Sequence, residues 1–200
     1  QAPELMTYSV EQYHRLTETG VLLEGSPVEL IDGVIVRKDR RDQEGSLMNH
    51  GPNHAYVMSQ LLQLLIPQIA ADKFHVRCQL PVTLNGNTEP EPDLAIIKGT
   101  NDNFIDHHPG PADLVAVMEV ANSSARFDRT TKQRIYASAN IPVYWIVNLT
   151  ENRLEALGDP DPASGAYQTE TVFQAGDVAE LPLNTEEVVS VPLANLLPPV

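Results

Sequence analysis

The chain has 200 residues, 42% of them hydrophobic, which suits one globular domain spanning residues 1–200 with a sizeable core. A formal net charge of −14 argues against a general nucleic-acid binder, because phosphate contacts need Lys and Arg. No apolar run reaches membrane-spanning length, no secretory pattern stands at the start, and a single Cys78 excludes an internal disulfide, so a cytoplasmic protein without a membrane partner is expected.

In chain order, Ser9 with Gln12 three residues later reads as a capping box, and Val10, Tyr13 and Leu16 then recur at helical spacing until Gly20. Residues 28–36 place Asp32-Gly33 between apolar flanks, a hairpin signal. Residues 37–53 are charged and aperiodic and read as a loop. A helix is expected over residues 54–66, with Met58, Leu61, Leu62 and Leu65 on one face and Pro67 at its end. Phe74, Val76, Cys78, Leu80, Val82 and Leu84 alternate with polar neighbours, predicting a half-buried strand in which Pro81 marks an edge or a bulge. Cys78 within it reads as a buried structural thiol. Another strand begins near Asp93, a loop with His107 and His108 reads as surface, and residues 114–120 read as a strand covered on both faces. Thr130 with Gln133 suggests a second capping box, which would put Lys132 in the first turn of a helix ended by Asn140 and Pro142. A strand over residues 143–147 follows, and beyond Arg153 come short acidic strands without apparent chemistry.

Three groups in this order suggest a reaction. Asp93 opens one apolar strand, Glu119 lies in another, and Lys132 follows on a helix. A Glu inside so apolar a run is costly to bury without compensation, and a metal ion would supply it. Mg²⁺ takes oxygen ligands and is commonly held by one or two carboxylates with substrate phosphate oxygens, while a neighbouring ammonium stabilises charge on phosphorus or orients water. Strand alternation turns Lys98 to the opposite face from Asp93 and so counts against it as the cation. The charge distribution is compatible with phosphodiester chemistry. Eight acidic and no basic residues follow Arg153, so residues 1–153 carry only −6. Eight basic residues fall in two runs, Arg37, Lys38, Arg40 and Arg41, then Arg126, Arg129, Lys132 and Arg134, a composition suited to a local positive rim. Both runs also read as ordinary solvated surface. No G-x-S-x-G elbow accompanies Ser123 and Ser124, so a serine hydrolase has no support.

PD before an apolar strand, EV near the end of a second, a Ser-rich turn, D-R-x-x-K, YA-x-A-x-IP and YWIV together resemble the Uma-two family of proposed endonucleases, in the PD-(D/E)XK, restriction-endonuclease-like superfamily. The resemblance implies a mixed α/β fold: a central mixed β-sheet flanked by helices, with a core over about 21–150 and extra C-terminal β-strands over 151–200. It implies a nuclease acting on DNA with Mg²⁺ or Mn²⁺, and a homodimer is plausible for cutting both strands. Asp93 and Glu119 would hold the metal and Lys132 would be the catalytic cation, displaced to the helix because Ala121 occupies the usual lysine position. Glu29 becomes a candidate further acid, although a lone Glu on a strand equally reads as solvent-facing. His54 stands where the family often has a His and also reads as a helix-end residue. Asn122 and Asn148 depart from the family pattern. A second reading, a nuclease-fold binding or regulatory module without turnover, is kept beside the enzyme.

Overall fold

The computed structural model describes residues 6–23, 25–38 and 51–199. The first helix, α1 (Val10–Glu18), opens with the expected capping box: the Gln12 N–H donates to the Ser9 hydroxyl at 3.2 Å and the Ser9 N–H donates back to the Gln12 side chain at 2.9 Å. Strands β1 (Val28–Ile31) and β2 (Val34–Arg37) form the expected antiparallel hairpin. Its turn residues Asp32 and Gly33 take φ of 48° and 78°, as a tight hairpin of this hand requires. A Cβ on Gly33 would stand 2.5 Å from Thr7 Cβ. Gly33→Ala therefore combines backbone strain with a clash, and we expect it to lower the urea-unfolding free energy by about 1–3 kcal/mol.

Helix α2 (Pro52–Leu65) starts two residues before the expected helix, because Pro52 at its first turn has no N–H to leave unsatisfied. Residues 39–50 of the expected loop, including Arg40 and Arg41, lie outside the described residues. Strand β3 (Phe74–Cys78) is shorter than the alternation suggests. Gln79 takes a φ of 52° and Pro81 offers no N–H, so the regular ladder stops. The chain then runs irregularly beside residues 88–93, with the Gln79 N–H donating to Asp93 O at 3.1 Å and the Val82 N–H to Pro90 O at 3.0 Å. As expected from Pro81, β3 is an edge strand. Cys78 at its end is exposed, contrary to the buried thiol expected.

Strands β4 (Leu94–Lys98), β5 (Leu114–Ala121), β6 (Val143–Asn148), β7 (Arg153–Asp161) and β8 (Ala166–Phe173) complete a six-stranded sheet in the order β3-β4-β5-β6-β7-β8. Only the β5–β6 pair is parallel, so the sheet is mixed. That pair requires a crossover, supplied by α3 (Ala125–Phe127), a π turn over Asp128–Lys132, and α4 (Gln133–Ser138). The expected Thr130–Gln133 box does not form. The helical stretch begins earlier, at Ala125, and the Thr130 hydroxyl instead donates to Arg126 O at 2.8 Å. Lys132 thus closes the π turn instead of occupying a first helical turn.

One face of the sheet packs α2, the hairpin β9 (Val178–Pro182) with β10 (Val188–Pro192), and α5 (Leu193–Leu196), around Leu61, Leu94, Met118 and Trp145. The other packs α4, Ile31 of β1, and Val82 and Leu84 around Ile97, Val117, Tyr144 and Ile146. The extra C-terminal strands therefore divide: β7 and β8 extend the central sheet, while β9 and β10 form a separate hairpin. All eight residues of β5 are buried, as the covered strand requires.

Candidate active site

The β4–β5 ladder sets the site. Leu94 pairs with Met118 in antiparallel register, so one step further Asp93 faces Glu119. The Asp93 N–H lies 3.4 Å from Glu119 Oε2, and the Val120 N–H donates to Asp93 Oδ2 at 2.8 Å. Glu119 shares the parity of Val117 and Ala121 and so points to the face covered by α4. There the Lys132 ammonium donates to Glu119 Oε1 at 3.0 Å and to Glu29 Oε2 at 2.7 Å. Tyr136, one helical turn beyond Lys132, donates its hydroxyl to the same Glu119 oxygen at 2.9 Å. Glu29 is held in turn by the Glu91 N–H at 3.1 Å. All four residues proposed from sequence are therefore brought together, and Glu29 is buried, not solvent-facing.

Asp93 sits at the mouth of this cluster, its side chain 18% exposed, and reaches α2 as well: His54 Nε2 lies 3.2 Å from Asp93 Oδ2. The Gln79 amide approaches Asp93 Oδ1 at 3.3 Å. Asp128 is buried in the π turn, where Ser124 donates its hydroxyl to Oδ2 at 2.7 Å. Its charge acts on Glu119 and Lys132, so it is a neighbour of the cluster. The Glu91 carboxylate binds the Lys38 ammonium.

The electrostatics follow from burial and like charge. Burial pushes the Glu119 carboxyl up to about 8; Lys132 opposes this, while Asp93, Asp128 and Glu29 add to it. Asp128 is pushed up to about 6 by burial, against the Ser124 hydrogen bond and the Lys132 charge. Burial also disfavours the Lys132 charge, but Glu119 and Glu29 outweigh it and hold the ammonium above the ordinary lysine range. Burial works against ionised Asp93 too, yet the His54 hydrogen bond and charge, the Val120 N–H and the Gln79 amide keep it below the usual carboxylate range. Glu29, Asp93, Glu119 and Asp128 thus surround one lysine, leaving negative charge in excess. All donors are hard oxygens, the set that suits Mg²⁺ or Mn²⁺ and supplies the charge such an ion would neutralise.

The positive rim suggested by composition is largely engaged elsewhere. Arg129 binds Glu155 and Glu151, Arg134 binds Asp32, and Lys132 is inside the cluster. Arg37 and Arg126 are exposed. Lys98 donates to Ala112 O at 2.9 Å, away from the site, as strand alternation requires.

A family model described as "Putative restriction endonuclease", Uma2, matches residues 10–194. The chain belongs to the Uma2 family. It is also similar to a solved structure described as "a putative nuclease belonging to DUF820" from Anabaena variabilis. That likeness has a TM-score of 0.68 and 14% identity over 94% of this chain and 97% of that one. At that identity the likeness speaks for the fold, a mixed α/β sheet flanked by helices. No curated protein matches the chain significantly.

Of the two positions that depart from the family pattern, Asn148 makes its side-chain contacts with residues outside the cluster. Its amide donates to Glu151 at 3.1 Å and Glu155 at 3.3 Å, beside Arg129 and Arg153. Sequence reading missed the approach of Gln79 to Asp93, which depends on a positive φ that no residue pattern announces. Tyr136 carried a usable signal, since it follows Lys132 by four on a helix and so shares its face.

Proposed function

We propose that this Uma2 protein is a divalent-metal-dependent endonuclease that hydrolyses DNA phosphodiester bonds, with Asp93 and Glu119 holding Mg²⁺ or Mn²⁺, Lys132 as the catalytic cation, and Glu29 positioning Lys132. The observation that carries the reading is the buried Lys132 ammonium, shared at 2.7 Å and 3.0 Å between Glu29 and Glu119, next to the partly open Asp93 carboxylate. When bound, the ion would polarise a phosphoryl oxygen and lower the pKa of a water nucleophile. Lys132 would stabilise negative charge developing on the equatorial phosphoryl oxygens, its position fixed by Glu29. Tyr136 would hold Glu119 from behind and His54 would hold Asp93, setting both carboxylates in orientation before substrate arrives.

Cleavage of supercoiled plasmid with added Mg²⁺ or Mn²⁺ tests the reading. Metal-dependent nicking or linearisation is expected. Plasmid binding without cutting, under every divalent ion tried, would overturn it in favour of a silent binding module. Cutting both strands calls for two sites, so the active species is expected to elute as a dimer.

Metal affinity should also depend on pH. Without metal, Glu119 keeps its proton until about 8, and an ion must displace that proton to bind. Affinity for Mn²⁺ is therefore expected to rise as pH increases from 6 to 8, by up to roughly tenfold per pH unit, with proton release visible as buffer-dependent heat in calorimetry. The stability of the metal-free protein follows the opposite course. Because folding raises the Glu119 value above its ordinary 4.5, this group favours folding below 4.5 and loses that contribution as pH rises towards 8. The metal-free protein should consequently gain most from Mn²⁺ near pH 8.

A further inference from the structure

A second group of ligating side chains lies outside the carboxylate–lysine cluster. His14 of α1, Glu89 before β4 and His108 in the loop before β5 each offer one ligand atom, and the three atoms lie within 4.8 Å of one another. His14 Nε2 is 2.5 Å from Glu89 Oε1. The rings of His14 and His108 stand 5.9 Å apart and nearly perpendicular, at 86°. Glu89 is buried at the base, whereas the His14 side chain is 43% exposed, so the group is closed below and open above. Its carboxylate is already oriented: the Thr83 hydroxyl donates to Oε2 at 2.6 Å, leaving Oε1 towards the imidazoles.

We propose that His14, Glu89 and His108 form a separate cation site selective for a borderline transition-metal ion, with Zn²⁺ as its natural occupant. The donor chemistry decides the class. Two imidazoles and one carboxylate suit zinc and its neighbours, whereas Mg²⁺ and Ca²⁺ prefer all-oxygen sets such as the one at Asp93. Three protein ligands with an open fourth position leave room for water, and the Thr83–Glu89 contact supplies the outer hydrogen bond that orients a ligating carboxylate. Ligands about 2 Å from a zinc ion need the His14–Glu89 contact to open and His108 to draw in, movements available to one exposed side chain and one loop. Among neighbouring charges, Glu91 favours a cation here and Arg77 opposes it.

The site would act as a clasp. Glu89 bridges to Leu30 through paired backbone hydrogen bonds of 2.7 Å and 3.3 Å. Leu30 adjoins Glu29, and Glu89 precedes Asp93 by four residues. An ion at Glu89 would tie α1 and the His108 loop to the segment that delivers both acids. No residue spacing announces the site, because the ligands are 75 and 19 residues apart and come from three segments.

The test uses the full chain, free of any histidine tag and stripped with a chelator, carrying Asp93→Asn to remove metal binding at the other cluster. Titration with Co²⁺ should produce visible d–d absorption that Zn²⁺ abolishes at one equivalent, in the presence of excess Mg²⁺. His14→Ala and His108→Ala should each weaken Zn²⁺ binding by roughly 100-fold or more, and Thr83→Val by about tenfold. Unchanged circular dichroism in the exposed-site variant His14→Ala would separate lost ligation from lost folding. Zn²⁺ affinity that survives in both histidine variants, or no Zn²⁺ binding by the unsubstituted chain, would overturn the proposal and leave His14–Glu89 a hydrogen bond only.

Discussion

Replacing Lys132 with methionine is expected to lower plasmid cleavage by roughly 10²–10³-fold or more and to destabilise the fold by about 3–5 kcal/mol at pH 7.5. Methionine keeps an unbranched side chain of similar reach and so tests the charge more than the packing. The Lys132 side chain is 4% exposed and its ammonium touches Glu29 and Glu119, both buried. Without it, these acids are left in a low-dielectric space beside Asp93 and Asp128, and removing one partner of a buried pair costs far more than the pair contributes. The pH dependence identifies the cause. Lys132 is held above its ordinary value, so its own contribution is complete below about 10.5 and is lost only as pH rises beyond that. In the variant Glu119 loses the cation that opposes the effect of its burial and keeps its proton beyond 8, so the stability deficit should shrink as pH falls from about 9.5 to 7.5. Urea unfolding of both proteins at the two pH values measures this. An equal deficit at both would assign the loss to packing.

Asp93→Asn should reduce cleavage by about 10³-fold and Mn²⁺ affinity by at least roughly 100-fold, while changing metal-free stability by only about 1 kcal/mol. Asparagine preserves shape, and its carbonyl oxygen can still accept from the Val120 N–H, which donates to Asp93 Oδ2 at 2.8 Å. What it removes is the anionic ligand that His54, Val120 and Gln79 keep ionised. Calorimetry with Mn²⁺ and thermal melts with and without metal read the two effects separately. A variant that retains the metal-induced rise in Tm would show that the ion is held elsewhere. The contrast with Lys132→Met is informative, since one substitution spares the fold and removes the ion's anchor, and the other strains the fold around a remaining anchor.

Glu119 could be singled out from sequence because a Glu inside LVAVMEV has no cheap reason to be buried, and Asp93 and Lys132 because they fall on the PD and D-R-x-x-K stretches that resemble the family. Glu29 was balanced between two readings, because a single polar residue on a short strand fits either face until the hairpin is docked. The Leu30–Glu89 backbone bridge settles its direction. Local signals with a direct backbone cause were legible, among them the Ser9 capping box and the Asp32-Gly33 turn. Less legible were features decided by tertiary contact. Alternation continues to Leu84, yet the strand ends at Cys78, where Gln79 turns to a positive φ beside Asp93. Thr130 and Gln133 fit a capping pattern equally well inside a helical stretch, where π geometry over Asp128–Lys132 carries Lys132 inward. The basic runs looked like a rim because composition does not reveal that Arg129 and Arg134 are already paired with acids distant in sequence.

The most direct test of the central claim is anomalous diffraction from crystals grown with Mn²⁺ at pH 8, where Glu119 gives up its proton most readily. We predict one peak within about 2.0–2.3 Å of carboxylate oxygens from both Asp93 and Glu119, with the Lys132 ammonium still directed into the same cluster. A peak that engages neither carboxylate, or Mn²⁺ found only at other residues, would contradict the account.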